Sequence, residues 1–129
     1  MRTPLTLPLK TISEANASQR EHWASKHKRH ATQRQLVKVC LLDAWGPRQG
    51  PWSAPVTLAL TRISPRILDG DNLQAALKHV RDEVAAWFGL DDAHPLLTWE
   101  YAQRQSRGQP RGNPYYAVEI RLRRNGFAC

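Results

Sequence analysis

The sequence predicts an α+β fold, a small mixed β-sheet packed against helices, formed by a single domain over residues 1–129. Three observations lead there. Three segments alternate apolar and polar residues with the period of a strand, Ser13 to Trp45 holds neither proline nor glycine, and Asn72 to Phe88 has helical period. Hydrophobic residues make up 41% and charged residues 23%, and five tryptophans leave ample surface to bury, which excludes disordered and collagen-like chains.

Taken in order, Thr3 to Leu9 alternates weakly and carries Pro4 and Pro8, which suits an edge strand. Ser13 to Trp45 reads as one long helix or two in tandem, polar in its first half and apolar from Leu36 to Leu42. Gly46 to Pro55, with three prolines and two glycines, is a connecting loop. Val56 to Ile63 is a strand, with Val56, Leu58 and Leu60 facing one way and Thr57, Ala59 and Thr61 the other. Leu96 to Gln105 and Tyr115 to Arg123 are two more strands, joined through Ser106 to Pro114.

The helix between the first long strand and the second is amphipathic. With Asp71 as N-cap and origin, and 100° per residue, Leu73, Ala76, Leu77, Val80, Val84, Trp87 and Phe88 fall between about 140° and 260°. Lys78 and Asp82 fall near −20° and 20°, on a stripe with Asp71 opposite the buried face. Lys78, leaning towards the helix N-terminus, is expected to reach back towards Asp71.

Charge is unevenly distributed. The chain has 19 Lys+Arg and 11 Asp+Glu, a net charge of +8. Six of the acids (Asp69, Asp71, Asp82, Glu83, Asp91, Asp92) lie between Asp69 and Asp92 with only Lys78 and Arg81 among them. A basic surface holds a polyanion, and clustered carboxylates hold a divalent cation against a phosphate. A plain alternative is a helix cap with a solvated, weakly paired Lys78–Asp82 face. An EF-hand is excluded, because the glycine and terminal glutamate it requires do not follow Asp69 and Asp71.

No stretch approaches the roughly 20 apolar residues of a membrane span, and the N-terminus lacks the apolar run of a signal peptide. Cys40 and Cys129 have neither zinc spacing nor a Cys-x-x-Cys pattern, and read as reduced thiols of a cytoplasmic protein. The five histidines show no ligand spacing, and the tryptophans read as core or dimer contacts.

Asp69-Gly70-Asp71-Asn72-Leu73, the amphipathic helix and Leu90-Asp91-Asp92 together resemble the core motif of RusA-type Holliday junction resolvases. Asn16 to Trp23, followed by basic residues, resembles that family's N-terminal neighbourhood, and the order of strands fits over most of the chain. The resemblance implies a homodimeric, Mg²⁺-dependent endonuclease that cuts four-way DNA junctions, found in the bacterial or phage-infected cell. It places metal ligands at Asp69, Asp71 and Asp92 or Asp91; of that adjacent pair, only one side chain is expected to face the ion. The family lysine four residues after the second acid is replaced by Ala75, so Lys78 takes the role of phosphate contact. Arg20, Lys26, Lys28, Arg29, Arg34, Arg104 and Arg107 are the expected DNA contacts. The replacement at Ala75 also keeps open a non-catalytic DNA-binding protein on the same scaffold. An interaction module whose acids merely cap a helix is a third reading.

Overall fold

The computed structural model describes residues 3–11, 23–48, 50–107 and 115–124. Their elements run β1 (Leu5–Leu7), α1 (Trp23–Trp45), β2 (Val56–Ser64), α2 (Gly70–Ala76), α3 (Lys78–Trp87), β3 (Leu97–Gln105) and β4 (Ala117–Arg124). The α+β class is as expected, and the sheet is mixed, with strand order β1-β4-β2-β3. β2 and β3 are parallel, joined through α2 and α3 as a βαβ unit, whereas β4 lies antiparallel to both β2 and β1. Parallel neighbours need such a crossover, because a tight turn can only reverse the chain.

The alternation of β2 sets the layering. Leu58 and Leu60 sit beside Trp99 and Tyr101 of β3 and beside Leu122 and Ile120 of β4. These residues join Val37, Leu41 and Trp45 of α1 and Val80, Val84 and Trp87 of α3 in one core. The opposite sheet face carries small and charged residues, including ion pairs from Arg121 to Glu119 (2.9 Å) and from Arg123 to Glu100 (3.2 Å). Edge-to-face rings close the core at one end: Trp45 on Trp87 (5.2 Å), Trp52 on Phe88 (5.1 Å) and Trp87 on Phe88 (5.1 Å). Trp45 and Trp87 are thus core residues, while Trp52 and Trp99 are partly buried against it.

Two features of the connecting helix differ from expectation. The N-cap is Asp69, not Asp71: its backbone is extended (φ −70°, ψ 168°) and its Oδ1 accepts the Asn72 N–H at 3.1 Å. Asp71 therefore falls in the first turn, where its charge complements the exposed helix N–H groups. The helix is also not continuous from Asn72 to Phe88, but breaks at Leu77 (φ −98°, ψ 2°). The Leu77 N–H is shared between the Leu73 and Gln74 carbonyls, both at 3.2 Å, which tightens that turn. Leu77 itself is fully buried, and Leu73, Ala76, Val80, Val84, Trp87 and Phe88 are buried as their periodicity requires.

Gly46 and Gly89 end α1 and α3 with φ of 84° and 72°, a region that side chains with a Cβ avoid. At Gly89 the bonds form a Schellman pair: Gly89 N–H to Ala86 carbonyl (3.0 Å) and Leu90 N–H to Ala85 carbonyl (3.2 Å). The chain then doubles back, which carries Asp91 and Asp92 alongside α3.

Candidate functional site

The reversal at Gly89 brings Asp92 onto Arg81, one of the two bases inside the acidic island. Arg81 Nε donates to Asp92 Oδ2 at 2.8 Å and its Nη2 to the Asp92 carbonyl at 3.2 Å. Its Nη1 donates to the Tyr101 hydroxyl at 2.6 Å, and its guanidinium lies 5.0 Å over the Trp99 ring. Trp99 Nε1 donates to the same Asp92 carbonyl at 2.8 Å. One side chain thus ties the turn after α3 to both α3 and β3. Burial alone would lower the Arg81 pKa, but hydrogen bonding to Tyr101 and the charge of Asp92 outweigh it and raise the value.

Lys78 belongs to the same cluster. Its ammonium lies 3.2 Å from Asp82 Oδ1, one turn along α3, and 3.9 Å from Asp92 Oδ2. It is turned to these acids and not back to Asp71, contrary to the expectation from a continuous helix. The break at Leu77 changes the rotational phase between α2 and α3, and the i+4 carboxylate is the nearest partner. Asp82 is further approached by Arg34 of α1 at 3.8 Å.

The other expected ligands divide between two places. Asp69 and Asp71 are both exposed at the start of α2; Asp69 is engaged as the cap, and no cation among the described residues pairs with Asp71. Asp91 is exposed and its Oδ1 accepts the Ala93 N–H at 2.9 Å, whereas Asp92 is turned inward, so the adjacent acids do point to different surroundings. Among the described residues, no three His, Cys, Asp or Glu side chains cluster as a metal-holding group. The donor chemistry at α2 nevertheless suits Mg²⁺, which is commonly held by one or two carboxylates together with phosphate oxygens and water. Asp69 and Asp71 are hard oxygen donors two residues apart, and Asp71 is uncompensated by any described cation.

Of the expected DNA contacts, Lys28 and Arg34 are exposed on α1 and Arg29 is partly buried there. Arg104 and Arg107 are exposed on and just after β3, with Arg104 3.9 Å from Glu119. Arg20, the side chain of Lys26, the segment Asn16 to His22, and Cys129 lie outside the described residues.

Sequence reasoning passed over Arg81, Tyr101 and Trp99. The available signal was a helix ended by Gly89 with a base about two turns before that glycine and acids two and three residues after it. It also passed over a cleft between α1 and α3 lined by His27, His30, Arg34, Lys38 and His79. No helix among the described residues is long and apolar enough to cross a membrane. No protein-family model matches the chain, and no curated protein is similar to it.

Proposed function

We propose that the protein is a Mg²⁺-dependent, homodimeric endonuclease of the RusA type that binds branched DNA and resolves four-way junctions by paired nicks. The observation that carries this reading is the return of Asp92 to within 3.9 Å of Lys78, on the helix pair that the Asp69-Gly70-Asp71 turn opens. A lysine next to a downstream acid, and a two-acid turn that opens the same helix pair, are the parts that the family resemblance calls for.

In this reading Asp92, which the resemblance names as a further ligand, is engaged instead by Arg81 at 2.8 Å, and Asp69 and Asp71 hold the ion. Bound there, Mg²⁺ supplies polarisation of the scissile phosphate and a more acidic water. Lys78 offers its ammonium to a phosphate oxygen, exchanging part of its contact with Asp82 and Asp92 for the substrate. Asp92 orients Lys78 and is itself oriented by Arg81, a positioning residue because it acts through Asp92. Lys28, Arg29, Arg34, Arg104 and Arg107 neutralise backbone charge, so binding falls steeply with salt.

The test is cleavage of a labelled four-way junction, with and without Mg²⁺, by the wild-type protein and Asp71→Asn. Symmetric paired nicks that need Mg²⁺ and disappear in Asp71→Asn, with junction binding kept, are the expected result. Tight binding by both proteins with no nicking by either overturns the enzyme and leaves a DNA-binding protein on the same scaffold. Sedimentation of the free protein tests the dimer.

A further inference from the structure

The loop from β2 to α2 presents Ile67 to solvent. Ile67 is 53% exposed, whereas Ile63 and Ile120 are buried, and Arg66 beside it is exposed too. A lone exposed apolar residue is ordinary on a protein surface, but the backbone beneath this one is bound from both sides. The Pro65 carbonyl accepts from Gln105 Nε2 at 3.0 Å. The Arg66 N–H donates to Ser64 Oγ at 3.4 Å, and the Arg66 carbonyl accepts from Arg62 Nη1 at 2.7 Å. The Leu68 N–H donates to Gln103 Oε1 at 2.9 Å, and the Leu68 carbonyl accepts from Gln103 Nε2 at 2.5 Å.

These side chains come from two rungs of the parallel ladder, in which Arg62 is paired with Gln103 and Ser64 with Gln105. The preceding rungs of the same face pair Leu58 with Trp99 and Leu60 with Tyr101, so the face turns polar where the loop crosses it. Arg62 and Ser64 are 5% and 3% exposed, so water competes little for their bonds. Ile67 itself is β-branched and has little freedom about χ1. It stands out from a braced backbone as a stiff apolar wedge.

A wedge of this kind fits a stack of nucleobases. Apolar side chains enter base steps and part them, while neighbouring arginines neutralise the backbone phosphates. Parting the bases costs least where pairing is already interrupted, as at the branch of a junction. Ile67 is two residues from Asp69, about 7 Å of chain at most, so a step opened there lies beside the Asp69–Asp71 turn. We propose that Ile67 is a specificity-determining residue, held out by Arg62 and Gln103 to part a base step at the branch point. The inference rests on the DNA-binding reading and names what selects a junction over continuous duplex.

The experiment compares the wild-type protein with Ile67→Ser and Ile67→Leu in the absence of Mg²⁺, so that no strand is cut. Anisotropy is read on a labelled four-way junction and on a duplex of the same arm sequence, and emission on a junction carrying 2-aminopurine at the branch. Ile67 is exposed, so both variants should melt with the wild type. Ile67→Ser should lose about tenfold in junction affinity and less than about twofold in duplex affinity, and Ile67→Leu should recover most of the loss. Binding of the wild type, but not of Ile67→Ser, should brighten 2-aminopurine as its base unstacks. Equal junction binding by Ile67→Ser and wild type, an equal loss on junction and duplex, or emission that wild-type binding leaves unchanged overturns the wedge while the DNA-binding reading stands. A changed sedimentation coefficient of free Ile67→Ser assigns the side chain to a protein contact and also overturns the wedge. No binding of either DNA by the wild type overturns both.

Discussion

Replacing Arg81 by methionine is the most informative single perturbation, because it keeps the aliphatic length and removes every polar contact of the clamp. Arg81 makes a 2.8 Å charge-assisted bond to Asp92, a 2.6 Å bond to the Tyr101 hydroxyl and a 3.2 Å bond to the Asp92 carbonyl. Hydrogen bonds to a charged group contribute about 1.5–3 kcal/mol each when fully buried. Arg81 and Asp92 both keep 24% of their side-chain surface, and Lys78 stays 3.9 Å from the orphaned carboxylate. Water and Lys78 therefore recover much of the loss, and a net cost of about 2–3 kcal/mol is expected. For a chain of this length each kcal/mol shifts the melting temperature by about 3–4 °C, so the expected fall is roughly 8 °C. Urea unfolding at an unchanged slope measures the first number and thermal melting the second. Arg81→Lys, which retains one contact, should cost about half as much. Under the proposed function, Arg81→Met also lowers the rate of junction nicking more than it weakens junction binding. A variant within about 0.5 kcal/mol of wild type, the range of ordinary surface substitutions, would refute the clamp.

Asp69→Ala should lose about 1 kcal/mol of stability with the cap bond, while Asp69→Asn keeps most of it; nicking assays on folded Asp69→Asn then separate capping from metal binding. Gly89→Ala should destabilise by about 1–2 kcal/mol in urea, because φ is 72° there, and an unchanged midpoint would argue against the Schellman turn. Burial, with a smaller contribution from Asp43, pushes the Cys40 thiol up, so its alkylation by iodoacetamide at pH 8 should be slower in the native protein than in urea. A raised folded-state value means that the stability linked to Cys40 is present below the unfolded thiol pKa and is lost as pH rises beyond it. Urea midpoints of the wild-type protein and Cys40→Ser should therefore converge above about pH 9.

The layered fold was legible because burial leaves a period in the sequence. Leu58 and Leu60, or Val80 and Val84, are apolar at the spacing of their element whatever packs on them. The break at Leu77 was not legible, since that residue keeps its place on the buried face on either side of a local tightening. The shift of the cap from Asp71 to Asp69 was equally hidden: both are good caps, and the choice depends on which backbone is extended. Arg81 escaped notice because its partners Asp92, Trp99 and Tyr101 are neighbours only after Gly89 reverses the chain and β3 pairs with β2. The imidazole cleft needs the packing of α1 on α3, and no local pattern announces that His30 meets His79.

The sheet order bears on how the molecule is assembled. β4 occupies an interior position, pairing Leu5 with Ile120 on one side and Leu60 with the same Ile120 on the other. During synthesis β1 therefore emerges with no strand to join, and β2 keeps one flank bare until residues 117–124 have been made. The βαβ unit involves shorter loops and can form first, whereas closing the sheet must bring together segments more than a hundred residues apart, a slow step for chain entropy. In that interval the unpaired flank of β2, with its run of Val, Leu and Ile, is the part of the nascent chain most exposed to pairing with a second molecule.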